Sequence, residues 1–520
     1  MRKETNMKYL MGIDCGTGSV RVAIFDLRGQ NRAYDIAEYP TTYPQNGWAE
    51  QDDKDWYAAL KKAIPGAIRK SGVNPDDIVA VTCDATTSTI VFLDENNKSV
   101  RKPMLWPDVR AAAEAAEIDT IRDKYPATRF YKPNFRADTM IPKCMWVKRN
   151  QPEVYAASKT IFDFEDWLNL QLTGKLTVSK SVAAFRWNYD DRNGGYPEDL
   201  LAAVGLDDLT SKFPAEILPV GAVISNVSPE ASKEFGLSEK TIVVEGTADC
   251  NACMFGVGGV KPNGMTLIGG TSSCLLGLSE TDFHENGVNG TYPNCMYEGT
   301  SLLEGGQTSS GAILTWFRNN LLPGSWLQEA AQREMNIYDL ITEKAAAIPI
   351  GCEGVVMNSD FQGNRAPYAD SKARGIFWGL SIGTTTAHIA RAVYEGVAFG
   401  ANHCIVSMKE AGYDVKEIYA AGGICTSDFW MQMHCDIIGV PMYTTIENQS
   451  AGCLGDAIIA SVGAGLFKDF TEAAEKLVRI DKTYTPNMEN HEKYKFYMER
   501  YMETWPQMRD IIHKTVDHNN

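Results

Sequence analysis

The sequence predicts an α/β protein whose two related domains face each other across a cleft, and three observations carry that prediction. Residues 9–26 read as strand, turn, strand: Tyr9-Leu10-Met11-Gly12-Ile13-Asp14, then Cys15-Gly16-Thr17-Gly18-Ser19, then Val20-Arg21-Val22-Ala23-Ile24-Phe25-Asp26. The same unit returns about 250 residues later as Met265-Thr266-Leu267-Ile268, Gly269-Gly270-Thr271-Ser272-Ser273 and Cys274-Leu275-Leu276-Gly277-Leu278, which marks an internal duplication. Just before the second copy, the β-branched run Thr241-Ile242-Val243-Val244 passes through Glu245-Gly246-Thr247-Ala248-Asp249-Cys250-Asn251-Ala252 into a helix whose first turns are Cys253–Val257. The turn-rich Gly258-Gly259-Val260-Lys261-Pro262-Asn263-Gly264 then divides the chain into residues 1–260 and 261–520.

Taken in order, the first hairpin has the makings of a phosphate loop. Gly16 and Gly18 let backbone N–H groups approach an anion, Thr17 and Ser19 add hydroxyls, and Asp14 can hold a hydrated Mg²⁺. A bare hairpin turn has the same composition. Ile78–Thr82 and Thr89–Leu93 read as strands around the polar hexad Cys83-Asp84-Ala85-Thr86-Thr87-Ser88, which either faces solvent or lines a pocket for a polyhydroxylated ligand. In Leu105-Trp106-Pro107-Asp108-Val109-Arg110, Trp106 can stack on a sugar while Asp108 and Arg110 hydrogen-bond to it; a structural Trp beside a surface ion pair is the plain alternative. Lys143–Gln151 reads as a short amphipathic helix. Residues 151–235 read as helical packing that shapes the pocket without individual contacts to name.

Asp249 stands at a strand-to-helix junction. There the free N–H groups of a helix start favour its ionised form, so it can accept a proton at neutral pH; the plain alternative is an N-cap. Further on, Gly311 opens an apolar helix whose start offers N–H groups to an anion. His388 begins a long helix that Gly412 ends, and reads as a helix-start hydrogen-bonder rather than a base. Ile418–Ala421 reads as a buried strand, and Gly422-Gly423 behind it lets a flat ring such as adenine lie against bare backbone. Tyr494, Tyr497, Tyr501 and Trp505, at helical spacing, predict a terminal helix packed on the body.

The net charge of −16 and a pI near 5 exclude nucleic acid and anionic membranes as partners of a broad basic surface, and favour a small-molecule substrate. Met1–Met7 lacks the apolar core of an export signal and no apolar run approaches membrane-spanning length, so a cytoplasmic location is expected. The twelve scattered cysteines fit reduced thiols, and Cys250-Asn251-Ala252-Cys253 lacks a second ligand pair for zinc.

These residues resemble the FGGY family of carbohydrate kinases, of the actin and hexokinase-like ATPase superfamily, over nearly the whole chain. The most specific part is Gly375-Ile376-Phe377-Trp378-Gly379-Leu380, seven residues, then His388-Ile389-Ala390-Arg391-Ala392-Val393-Tyr394-Glu395. The N-terminal signature matches in part: Lys143 and Trp146 are in place, while Cys144 replaces a larger apolar residue. The resemblance implies two ribonuclease-H-like domains, the first mainly for sugar and the second mainly for ATP. It makes Asp249 the catalytic base and Gly16-Thr17-Gly18-Ser19 and Gly270-Thr271-Ser272 the phosphate loops. Gly311, Gly422 and Gly423 fall to ATP, Asp14 to Mg²⁺, and Asp84, Thr86, Trp106, Asp108 and Arg110 to the sugar.

Within the family, the Asp84-Ala85-Thr86 element is similar to ribulokinase-type enzymes, where xylulokinases carry Met-His-Gly, so a ketopentose is expected, ribulose before xylulose. The segment from Val462 to Pro486 is also similar to autoinducer-2 kinases, and another small polyol stays open, as does a homodimer. A dinucleotide-dependent oxidoreductase would need GxGxxG opening a helix after the first strand, and a P-loop kinase GxxxxGK[ST]; the chain has neither. A non-catalytic actin-like ATP- or sugar-binding protein would be expected to lack the carboxylate at Asp249.

Overall fold

The computed structural model of the protein describes residues 7–285 and 287–519; Met1–Asn6, read above as carrying no export signal, lie outside the described residues. Strand β1 (Tyr9–Cys15) is buried along its whole length, as its unbroken apolar run requires of a central strand. It pairs antiparallel with β2 (Ser19–Asp26), which pairs with β3 (Asn31–Glu38) at the sheet edge, where burial alternates. The helix Asp53–Ser71 follows, capped by the Asp52 carboxylate and stopped at Gly72; its buried face carries Trp56, Leu60 and Ile64. It returns the chain to β4 (Ile78–Ala85), parallel to β1. Strands β5 (Val223–Asn226) and β6 (Ile242–Ala248) complete a sheet of order β3-β2-β1-β4-β6-β5.

The second sheet contains β7 (Gly264–Gly269), β8 (Ser273–Ser279), β9 (Asn289–Pro293), β10 (Ser301–Gln307), β11 (Glu417–Ala421), β12 (Met442–Thr445) and β13 (Ile480–Tyr484). Their order is β9-β10-β8-β7-β11-β12-β13. Without the added edges β5, β9 and β13 the two sheets share one topology: third, second, first, fourth and fifth strand, with only the second reversed. The duplication read from two hairpins thus extends to whole sheets. The strand after the polar hexad, Ile90–Leu93, leaves the main sheet and pairs with Thr160–Asp163.

The helix Asp249–Val257 joins the two halves, and the helix Ala451–Gly463 crosses it at closely opposed glycines. A Cβ on Gly256 would meet the Ala451 carbonyl at 1.8 Å and one on Gly455 would meet that of Ala252 at 1.8 Å, so only glycine permits this crossing. Leu454, Ile458 and Ile459 of the second helix, with Ala473, Ala474 and Leu477, join the core of the first sheet. With residues 451–477 packed there, the partition at residues 260 and 261 stands as a proposal about the chain. The second core centres on the helix Thr386–Glu410, where His388 Nδ1 meets the Thr385 hydroxyl (2.8 Å) in a capping box. The terminal helix Met488–Asn519 buries Tyr494, Tyr501 and Trp505 against the body. No helix among the described residues is long and apolar enough to cross a membrane.

Candidate active site

Four carboxylates meet at the C-terminal ends of the first sheet's central strands. Asp14 stands one residue before the end of β1, beside Asp84 on β4, Asp249 follows β6, and Asp456 projects from the helix Ala451–Gly463. Arg21 pairs with Asp14 (3.0 Å), yet burial outweighs that attraction and raises the Asp14 pKa. Burial raises Asp84 far more, with Asp456, Asp14 and Asp249 adding repulsion, and neither oxygen of Asp84 or of Asp456 has a hydrogen-bond partner. This all-oxygen set of orphaned, buried acceptors fits a hard divalent cation.

Asp249 is the first residue of its helix and does not cap it; Ala248 is the N-cap. Burial and the Asp14 charge raise its pKa to about 7, against the Cys250 N–H (2.7 Å), Arg21 and Arg186. The helix start alone would hold Asp249 ionised well below neutrality; desolvation wins because the half-buried carboxylate is enclosed by the walls of the cleft, with Asp14 beside it. It lines a cavity of about 550 Å³ with Asp14, Arg21, Cys250, Cys253, Cys274, Gly422, Gly423 and Asn448. A second cavity, of about 730 Å³, shares Gly423 and Thr426 with the first and runs along Gly270, Thr271 and Gly311 to Tyr338, Tyr394 and Trp430. Aromatic rings at one end and backbone amides at the other suit a nucleotide.

Both turns are braced for close approach to an anion. The Tyr39 hydroxyl donates to the Gly16 carbonyl (2.5 Å), and Gln51 Nε2 to that of Thr17 (2.6 Å). In the second turn the N–H groups of Ser310 and Ala312 donate to the Thr271 carbonyl (2.9 and 3.1 Å), fixing it on the start of the helix Gly311–Asn320. Gly422 has φ 88° and packs on β7, where a Cβ would stand 2.6 Å from the Gly269 carbonyl; Asn448 Oδ1 accepts its N–H (2.9 Å). Ser272 is exposed and lines neither cavity, although sequence groups it with Thr271.

On the sugar side the structure divides the predicted residues. Trp106 is exposed, and its Nε1 donates to the Thr17 hydroxyl (3.0 Å), which ties this loop to the first phosphate turn. Asp108 and Arg110 are corrected from ligands to framework. Both side chains are fully buried, 2.6 Å apart, with Glu50 also accepting from Arg110 (2.8 Å) and Trp48 stacked on the guanidinium at 3.7 Å. That ion pair lies in the interior and not at the surface. Asp84 is likewise moved from the sugar to the carboxylate cluster. Thr86 is buried, its hydroxyl 3.1 Å from that of Thr89. Beneath these loops the fully buried Lys143 donates to the carbonyls of Ser88 (2.7 Å) and Leu105 (2.6 Å).

Sequence reading missed a cluster near Asp249. Arg186 donates to both oxygens of the buried Glu304 (3.0 Å), Arg365 pairs with the same carboxylate, and Arg136 approaches it at 3.5 Å while gripping Asp138. Arg136 and Arg186 hold Asp138 below the usual carboxylate range despite its burial. Residues from four separate stretches meet here, so no local pattern announced them. Asp456 did leave a signal, as a lone acid in an apolar helix.

The model of the FGGY family of carbohydrate kinases, N-terminal domain, matches residues 9–256, and that of the C-terminal domain matches residues 265–464. The chain is 27% identical over 512 residues to a xylulose kinase of Staphylococcus epidermidis, covering 97% of this chain and 98% of that one. It is 29% identical over 502 residues to ribulokinase 2 of Staphylococcus saprophyticus, covering 91% of each. The crystal structure of a xylulose kinase from Rhodospirillum rubrum superposes with a TM-score of 0.86 at 24% identity, over 97% of this chain and 100% of that chain.

Proposed function

The chain belongs to the FGGY family of carbohydrate kinases, and on that footing we propose that it phosphorylates the terminal hydroxyl of a ketopentose, ribulose in preference to xylulose, with Asp249 as the base. The observation that carries this reading is the position of Asp249, in the lining of a cavity that shares Gly423 and Thr426 with a second one suited to ATP, with a pKa raised to about 7. At that value a large fraction of the carboxylate is free to accept a proton while conjugate acid forms readily during transfer.

Asp249 takes the proton of the sugar hydroxyl as the oxygen attacks the γ-phosphoryl group in line; the bond to the β-phosphate bridge breaks and ADP leaves. The Gly16 and Gly270 N–H groups close their own turns, onto the Ser19 and Ser272 carbonyls (3.0 and 2.9 Å), so the remaining amides and hydroxyls of Gly16–Ser19 and Gly270–Thr271 would stabilise charge on the equatorial oxygens. Asp14, with Asp84 and Asp456 behind it, would hold Mg²⁺, which supplies charge neutralisation along the phosphate chain when bound. Arg186 and Arg365, clamped on Glu304, add a fixed positive field on the sugar side of Asp249. The preference for ribulose is supported by the resemblance of Asp84-Ala85-Thr86, and the relatives named ribulokinase and xylulose kinase support a pentulose.

The test is ADP formation from Mg·ATP with D- and L-ribulose, D- and L-xylulose, ribitol, erythritol, glycerol and an autoinducer-2 precursor. A clear kcat/KM maximum for one ribulose, abolished in Asp249→Asn, is the expected result. A maximum for xylulose or a polyol overturns the sugar assignment, and an active Asp249→Asn overturns the base.

A further inference from the structure

Residues 359–374 belong to no helix or sheet strand, yet they carry Arg365 to the buried Glu304 carboxylate on which Arg186 also rests. They are held by a loop closed on itself. Asn364 and Asp370 exchange both backbone hydrogen bonds (2.8 Å each). The Asn364 side chain accepts the Tyr368 N–H (2.8 Å) and donates to Asp360 (2.8 Å). Arg365 is the first residue inside the closure. The Gly363 carbonyl, just before it, accepts from the Thr308 hydroxyl (2.6 Å), which anchors the near side of the loop behind β10.

The far side is anchored by the terminal helix Met488–Asn519, at the residue that closes the loop. One Asp370 oxygen accepts the Lys372 N–H (2.9 Å) and the other lies 2.8 Å from His513 Nε2. Trp505, itself buried, seats the His513 imidazole, with ring centroids 5.9 Å apart. Earlier turns of the same helix bond the flanks of the loop: the Tyr501 hydroxyl meets that of Ser359 (2.8 Å), and Thr504 accepts the Trp378 indole N–H (2.9 Å). Lys372 and Asp517 add an outer pair (2.5 Å), which both side chains hold in water and which contributes little. At the other end of the line, Arg365 uses Nη2 on Glu304. Its side chain is 26% exposed against 1% for Glu304, so part of the guanidinium fork is left for a ligand's hydroxyls.

We propose that His513 is a positioning residue for the sugar side of the active site: by holding Asp370 it fixes the closed loop from which Arg365 reaches Glu304, and so sets where the Arg365 guanidinium stands toward the sugar. The inference rests on the reading that the sugar lies on the Arg186 and Arg365 side of Asp249. The line of contact runs His513, Asp370, Asn364, Arg365, Glu304, and contains neither Asp249 nor a residue of the phosphate turns. Its effect therefore falls on sugar binding and not on phosphoryl transfer. Without His513 the loop stays closed by its own backbone bonds but loses its outer anchor, and a guanidinium free to wander gives up orientation that the bound sugar must then restore.

The experiment measures ADP formation by the full-length protein with whichever sugar gives the highest kcat/KM, in the parent, His513→Ala, Arg365→Ala and the double variant. Expected for His513→Ala is a sugar KM raised about fivefold, with kcat and the ATP KM within about twofold of the parent. Arg365→Ala raises the sugar KM at least as much, and the double variant is no worse than Arg365→Ala, because His513 acts through Arg365. His513→Gln keeps a donor for Asp370 and restores most of the sugar KM, while Lys372→Ala stays at the parent's value. An unchanged sugar KM in His513→Ala overturns the proposal, as do additive effects in the double variant or an equal rise in Lys372→Ala. Should His513→Ala melt well below the parent, His513→Phe, which keeps a ring beside Trp505 and loses the donor, is read in its place. A wrong ribulose assignment leaves this test intact. An Arg365→Ala variant with the parent's sugar KM overturns the sugar-side reading and the inference together, whereas a rise there without one in His513→Ala overturns the inference alone.

Discussion

Asp14 and Asp84 stand side by side on the parallel strands β1 and β4, and Asp84 has no hydrogen-bond partner for either oxygen. Two buried carboxylates held so close repel each other unless a proton or a cation lies between them. We therefore propose that Asp84 acts on the cation side of the reaction. For Asp84→Asn, the Mg²⁺ concentration giving half-maximal ADP formation rises about tenfold or more, with the sugar KM nearly unchanged. A rise in sugar KM at constant Mg²⁺ requirement would return Asp84 to the sugar.

The pKa of about 7 at Asp249 sets the acid side of the pH profile. The base works ionised, so kcat/KM of the parent falls about tenfold for each unit below that value and levels off above it. Asp249→Asn lowers kcat by about a thousandfold. A parent profile that is flat from pH 5 to 8 would remove Asp249 from the proton transfer.

Lys143 holds two loops from below through the carbonyls of Ser88 and Leu105. Lys143→Met keeps the volume but orphans both acceptors. Loss of charge-assisted hydrogen bonds predicts a destabilisation of about 2–3 kcal/mol in urea unfolding, with a higher sugar KM. Unchanged stability would mean that water replaces the ammonium at both carbonyls.

At the helix crossing two effects of Gly455→Ala compete. Alanine gains about 1 kcal/mol of helix propensity over glycine. The new methyl would lie 1.8 Å from the Ala252 carbonyl, and overpacking of this kind costs about 1–3 kcal/mol, so clash prevails. The helix carrying Asp249 must move to relieve it. We expect a lower melting temperature and a lower kcat together; a more stable variant would contradict the crossing.

His434 is fully buried, and burial lowers its pKa from 6.5 to about 4. The folded state binds the proton less well than the unfolded chain. Stability is therefore complete above pH 6.5 and declines as pH falls toward 4, by about 3 kcal/mol for a shift of this size. His434→Gln removes that decline, measured as the difference between parent and variant in denaturant unfolding at pH 7 and pH 4.5.

How far sequence reading reached depended on whether a function sat in contiguous residues. The strand–turn–strand units, the β6-to-helix junction at Asp249 and the Gly422-Gly423 turn are local patterns, set by strand periodicity and by turns rich in glycine; the structure places them in two sheets of one topology facing one cleft. The roles of Asp84, Asp108 and Arg110 were not local. Whether a carboxylate faces a sugar, a cation or an arginine depends on which strand or loop packs against it. Glu50 and Trp48 decide this for Arg110, and Asp14 and Asp456 for Asp84.

The sequence by itself determined the architecture, because hydrophobic period and turn chemistry are written along the chain, and its motifs' resemblance to the FGGY family pointed to that family and to Asp249 as the proposed base. Tertiary structure alone decided the surroundings that push the Asp249 pKa up and the gathering of Arg136, Arg186 and Arg365 on Glu304. Burial and electrostatic coupling act through space between residues far apart in sequence, and only the folded packing brings them within range.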